Sequence, residues 1–260
     1  MVSWLRRGWQ VFAPEPALDR WLAAVAPHAV ACAEEPSLTS RWLRHGGTWF
    51  AGVDVLGNDA DGGLAGSGPL RCAARAEAER IAGRLPLHRG QVSVTYPGYP
   101  GRDLGESEAR HRYRRRRDAA HLDGLLPVGE SRRRMIREPH GYILGLPLTA
   151  CPAEKAPLVV WEGSHELIRA AMREALSGHP PASWADVDVT EAYHAARTAC
   201  FERCARVEIS ASVGQAILLH RLTLHGVAPW RAHSPPEDRR AILYFRPVLR
   251  GGVRDWLMQA

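Results

Sequence analysis

Apolar positions recur along this chain with two different periods. Leu18, Trp21, Leu22 and Val25 stand at helical spacing in EPALDRWLAAVAPHAVACA, residues 15 to 33, and predict an amphipathic helix interrupted or ended near Pro27. RCAARAEAERIAGRL, 71 to 85, predicts a second, alanine-rich helix. Between them TWFAGVDVL, 48 to 56, reads as a strand entering the glycine-rich GNDADGGLAGSGP. The DAD triplet there resembles a calcium loop, but the closing glutamate is missing, so a plain connection is expected.

From about residue 90 short strand-type segments take over: QVSVTY (91 to 96), RDAAHLDG (117 to 124), GYILGLPLT (141 to 149) and PLVVWEG (157 to 163). A helix follows at SHELIRAAMREALSG, 164 to 178, with a serine cap and a terminal glycine. Strands then resume at RVEISA (206 to 211), QAILLH (215 to 220), TLHGVA (223 to 228) and RAILYFRPV (240 to 248). Many short strands without regular strand-helix alternation predict a mainly β fold with flanking helices (α+β), a sandwich or jelly roll. A single domain, 1–260, is expected, with residues 1–90 as a helical and loop elaboration and 91–250 as the β core.

Composition changes this picture little. The net charge of +6 favours acidic partners. Lys155 is the only lysine, however, and the arginine excess beside abundant Ala, Gly and Pro has the look of a codon bias. The five cysteines form no CxxC pair and read as packed thiols of a reducing compartment. No apolar stretch reaches ~18 residues, and MVSWLRRGWQ lacks a signal-type apolar run, so a cytoplasmic protein without a membrane span is expected.

The chemistry centres on AHLDG. Residues two apart in a strand share a face, so His121 and Asp123 present an imidazole and a carboxylate side by side. LLHRLTLHGVAPW offers His220 and His225 as a third ligand. Two histidines and one carboxylate leave up to three positions open on an octahedral ion, the arrangement of non-haem Fe(II) oxygenases.

GQAILLHRLTLHGVAPWRAHSPPEDRRAILYFRPV, APLVVWEGSHE and AHLDG, in this order, resemble the signatures of the phytanoyl-CoA dioxygenase-like Fe(II)/2-oxoglutarate oxygenases over roughly residues 90 to 248. The resemblance implies a double-stranded β-helix (cupin-like jelly roll), Fe(II), 2-oxoglutarate and O2, and hydroxylation of a small molecule with release of succinate and CO2. It makes His121, Asp123 and His225 the metal ligands and gives an arginine before the last strand to the distal carboxylate of 2-oxoglutarate. Arg239 matches the motif and shares strand parity with Ala241 and Leu243; Arg240 is the alternative. Thr95 and Tyr96 are further cofactor candidates. The carboxylate at 123 disfavours halogenation, since related halogenases lack it.

Two arginine segments flank the motif, HRYRRRR before it and SRRRMIREPHGY after it. If the strand of His121 extends backward, Arg117 shares its face at roughly 13 Å, a rim position suited to an acidic substrate. Arg137 and His140 are the corresponding candidates in the second segment. Trp49, Trp161 and Trp230 read as packing residues. Oxidative demethylation of nucleic acid uses the same ligands, but the chain lacks lysine-aromatic interleaving and a base-reading element. A non-catalytic jelly-roll binding protein is the other alternative, disfavoured by the intact ligand set.

Overall fold

The computed structural model describes residues 3–260. Its helices are α1 (Ser3–Arg7), α2 (Pro16–Glu34), α3 (Pro36–Trp42), α4 (Ala73–Ala82), α5 (Glu108–Arg116), α6 (Ser164–Leu176), α7 (Thr190–Arg203) and α8 (Gly252–Met258). The strands are β1 (Trp9–Phe12), β2 (Leu43–Arg44), β3 (Trp49–Gly52), β4 (Gln91–Thr95), β5 (Leu125–Val128), β6 (Arg133–Ile136), β7 (Tyr142–Pro147), β8 (Leu158–Trp161), β9 (Arg206–Ile209), β10 (Ala216–His220), β11 (His225–Val227) and β12 (Arg240–Phe245). Seven form one antiparallel sheet in the order β1-β10-β7-β12-β4-β3-β2, and β11-β8-β9 form a second. The two sheets pack face to face as a jelly roll.

Register decides which residues face the interior. Arg240 lies opposite Thr95, Ile242 opposite Ser93 and Tyr244 opposite Gln91. Ile242 belongs with Ile143, Leu158, Val160, Ile217 and Leu219 to the apolar cluster between the sheets. The neighbouring residues Ala241, Leu243 and Phe245 point the other way, into the larger core that holds Leu18, Trp21, Leu22 and Val25 of α2. Helices also cover the outer face of the smaller sheet, where Trp161 meets Phe201 of α7 edge-on at 5.2 Å. With both faces covered, β7 and β10 are buried along their whole length. They therefore read as continuous apolar runs instead of alternating ones.

Several expectations change. Residues before 90 are no mere elaboration, since β1, β2 and β3 complete the main sheet. Helix α2 runs through Pro27. That proline is exposed, and the buried stripe from Leu18 to Ala33 compensates for the hydrogen bond its ring removes. The cap of α6 is Gly163, not Ser164, whose buried hydroxyl instead accepts from Leu224 N–H at 2.9 Å. The strand expected over 117–124 is a turn with one isolated bridge at His121, and the arginines before it belong to α5, residues 108–116. The parity argument for Arg117 therefore fails. Its guanidinium lies over the Phe201 ring, 4.5 Å from the centroid.

Candidate metal and co-substrate site

His121 and His225 meet across an isolated antiparallel bridge that joins the HLD turn to β11. Their rings stand 4.6 Å apart. Two glycines permit the close packing here: Gly226 lets β11 approach the turn before His121, and Gly124 lets the HLD turn approach Glu138. A Cβ on Gly226 would lie 2.1 Å from Asp118 O, and Gly124, at φ +87°, would place one 2.3 Å from Glu138 O. The turn before His121 is strained as well, with Asp118 and Ala119 both at φ +53°. It is held by the buried Asp118 carboxylate, which accepts from Arg206 Nε at 2.7 Å and Nη2 at 2.8 Å.

One ligand atom from each of His121, Asp123 and His225 lies within 4.8 Å of the others, the one such cluster among the described residues. His121 Nδ1 faces Ala119 O at 3.0 Å and His225 Nδ1 faces Thr223 O at 2.9 Å. A carbonyl can only accept, so both rings carry their proton on Nδ1 and turn the Nε2 lone pair inward. Asp123 Oδ1 lies 3.3 Å from His121 Nε2, and Oδ2 lies 3.7 Å from His225 Nε2.

The charge states suit a cation. Burial would raise the Asp123 carboxyl, but Arg246, His225 and His121 outweigh it and hold the group well below the usual carboxylate range. Burial and the neighbouring His121 push His225 down to about 4. His121 is raised, because its contact with Asp123 outweighs desolvation; its side chain is 50% exposed. The donor set of two imidazoles and one carboxylate fits Fe(II), whereas a closed structural zinc site would need a fourth ligand.

The triad lines a cavity of about 230 Å³ between the two sheets, walled by Trp49, Ile143, Leu158, Leu219, Val227 and Tyr244. Trp49 was expected to be packing, yet it lines this cavity and donates to Ser93 Oγ at 3.0 Å. Arg240 is 0% exposed, and its three nitrogens have no hydrogen-bond partner among the described residues. Tyr244 and Cys151 are its polar neighbours. Thr95 is buried opposite it. Arg239 turns to the outer face and pairs with Glu34 at 2.8 Å, beside the half-buried Tyr96. The parity shared with Ala241 and Leu243 was thus the parity of the helix-facing side.

The other candidates lie elsewhere. Arg137 pairs with Asp186 at 2.7 Å, and Arg133 pairs with Asp188 and Glu191, so the second arginine segment ties β6 to the start of α7. His140 is buried beside Glu138 and does not line the cavity. His220 is wholly buried against Trp4 and His165, away from the triad. Sequence reasoning missed Arg246, Asp118 and Arg206. FRP and RDAAH carry no motif that marks them.

No family model matches the sequence, and no curated protein matches it. Among solved structures, AviO1 from Streptomyces viridochromogenes Tue57 is 13% identical over 96% of this chain and 93% of its own, with a TM-score of 0.50. The non-heme alpha ketoglutarate dependent carbocyclase SnoK from nogalamycin biosynthesis is 13% identical over 97% and 85%, at 0.48. EctD from S. alaskensis is 17% identical over 94% and 73%, also at 0.48. The likeness is one of fold.

Proposed function

We propose that this chain is an Fe(II)- and 2-oxoglutarate-dependent oxygenase of the phytanoyl-CoA dioxygenase type that hydroxylates a small molecule. One observation carries the reading. A fully buried guanidinium with no hydrogen-bond partner among the described residues shares a strand face with a cavity that contains two histidines and a carboxylate. A buried unpaired cation costs several kcal/mol, so Arg240 calls for an anion. The distal carboxylate of 2-oxoglutarate matches its planar fork.

In this reading His121 Nε2, Asp123 and His225 Nε2 hold the iron, and Arg240, not Arg239, holds the co-substrate. Iron, when bound, supplies O2 activation coupled to oxidative decarboxylation of 2-oxoglutarate to succinate and CO2. The chain's own residues do the rest. Asp123 stays ionised and His225 neutral, so neither must shed a proton to bind a cation at neutral pH. Ile143, Leu158, Leu219 and Val227 keep water from the cavity, and the exposed edge of His121 marks the side from which substrate enters. The cavity volume suits a small substrate beside the co-substrate.

Anaerobic titration with Fe(II) and 2-oxoglutarate tests the proposal. The expected outcome is a weak visible charge-transfer band, absent in His225→Ala, retained in Arg239→Ala, and appearing only at much higher 2-oxoglutarate, by roughly 100-fold, in Arg240→Ala. No band in the folded parent protein overturns it.

A further inference from the structure

Asp123 offers two oxygens, and its neighbours divide them. Oδ1 faces His121 at 3.3 Å, whereas Oδ2 faces both His225 at 3.7 Å and Arg246 Nη1, which donates to it at 3.3 Å. A guanidinium donates at any pH, so Arg246 is the one permanent donor among these three neighbours, and it acts on Oδ2. It is well placed. Arg246 lines the cavity just past β12, its side chain is 14% exposed, and its backbone N–H donates to His88 Nε2 at 2.7 Å. Nε is buried and has no partner among the described residues.

A carboxylate can hold a cation through one oxygen or through both. If Asp123 used one oxygen, an octahedral ion on this triad would keep three exchangeable positions; if it used both, two would remain. A chelating 2-oxo acid together with O2 requires three. Which oxygen stays off the metal therefore decides whether the centre can work.

We propose that Arg246 is a positioning residue that reserves Asp123 Oδ2 for itself, so that the carboxylate reaches the metal through Oδ1 alone. The inference rests on the reading of the triad as a metal and 2-oxoglutarate centre. It goes beyond that reading by assigning a task to a residue outside the three ligands and Arg240. Arg246 acts less on how tightly the metal binds than on how many positions the bound metal leaves free.

The test separates those two quantities. Co(II) affinity is measured by calorimetry on Arg246→Met, Arg246→Gln and Arg246→Lys, with folding checked by circular dichroism. Then 2-oxoglutarate is titrated into each Co(II)-loaded protein while the cobalt visible spectrum is followed. Methionine cannot donate, and glutamine is too short to reach Asp123. Both variants are expected to hold Co(II) within about 10-fold of the parent and to bind 2-oxoglutarate more than about 10-fold more weakly, whereas lysine restores it to within about 3-fold. Glutamine keeps the question answerable should the methionine variant not fold. Folded variants that bind 2-oxoglutarate as the parent does overturn the proposal. So do folded variants that have lost Co(II) altogether, because the arginine would then be needed to hold the carboxylate in place at all. A parent that takes up no Co(II) overturns the metal reading and this proposal together, which distinguishes the two failures.

Discussion

Two histidine pairs lie close together in this molecule and have opposite fates. His121 and His225 stand 4.6 Å apart; His165 and His220 stand 4.9 Å apart. The first pair encloses the Asp123 carboxylate and opens on a cavity. The second is sealed: His220 Nδ1 accepts from Leu222 N–H at 3.0 Å, and its Nε2 lies 2.8 Å from Arg169 Nη2. The exposed Glu166 carboxylate meets His165 Nε2 at 3.3 Å from the solvent side. Imidazole spacing alone therefore does not make a metal site. The decisive differences are an anion among the rings and lone pairs that face one point.

The sharpest way to break this comparison is to remove one ring from each pair. His225→Ala or Asp123→Ala should reduce Co(II) affinity by more than the roughly 100-fold that a lost supporting contact can cost. His220→Ala should leave it nearly unchanged in calorimetry, provided the protein folds. Comparable losses in both would mean that the second pair contributes to the same centre.

The sealed pair should also report on pH, adding to the acid sensitivity that the lowered His225 gives the metal-free protein. Burial, Arg221, His165 and Arg169 together push His220 well below its ordinary range, and burial also lowers His165. The native state thus keeps His220 neutral while the unfolded chain takes up a proton below about pH 6.5. Stability accordingly falls as pH drops through 6.5 and continues to fall until the folded-state value is reached. The slope is up to about 1.4 kcal/mol per pH unit for one such group. Denaturant unfolding of the metal-free protein between pH 7.5 and 5 should show this, and His220→Gln should reduce the slope without abolishing it, since His225 and His165 are lowered as well. An equal slope in the variant would place the acid sensitivity elsewhere.

The same contrast shows how far the sequence was legible. HLDG and LHGV gave the triad, because both segments are local patterns and Gly226, beside His225, has no side chain to keep β11 from the turn that carries His121. The strand-type segments from 141 onward became β7, β8, β9, β10, β11 and β12 within a few residues at each end. Where the reading failed, the cause was distant packing. RYRRRR could not announce a helix, because five of its six residues are arginine and leave no apolar stripe; the helix has a serine cap, and of its nine residues only Arg114 is buried. Arg239 and Arg240 could not be separated without knowing which side of β12 the helices cover. That depended on α2, some two hundred residues earlier in the chain.

A smaller effect would sharpen the account of the first pair. Asp118 is buried and bonded twice to Arg206, and it anchors the strained turn that delivers His121. Asp118→Asn loses the charge-assisted part of that pairing and should destabilise the fold by about 2 kcal/mol. Metal affinity should fall by roughly 10-fold, as for a supporting group. Calorimetry and thermal melts on the same sample check both. A loss of stability with unchanged affinity would show that the turn holds the fold but not the ligand.

The smallest effect is expected at Arg137, which the sequence offered as a candidate substrate contact. Arg137 meets Asp186 at 2.7 Å, but the aspartate is 72% exposed, and exposed ion pairs contribute less than about 1 kcal/mol. Arg137→Ala should therefore change neither Co(II) nor 2-oxoglutarate affinity and should shift the melting temperature by only a few degrees at most. Arg115 and Arg116 of α5 differ, being exposed and without an ion pair among the described residues. A double Arg115→Ala, Arg116→Ala variant that loses turnover of an acidic substrate while Arg137→Ala keeps it would assign the basic surface to α5. Equal turnover in both would reduce the two arginine segments to solvated faces, and the selection of substrate would then rest with the cavity wall alone.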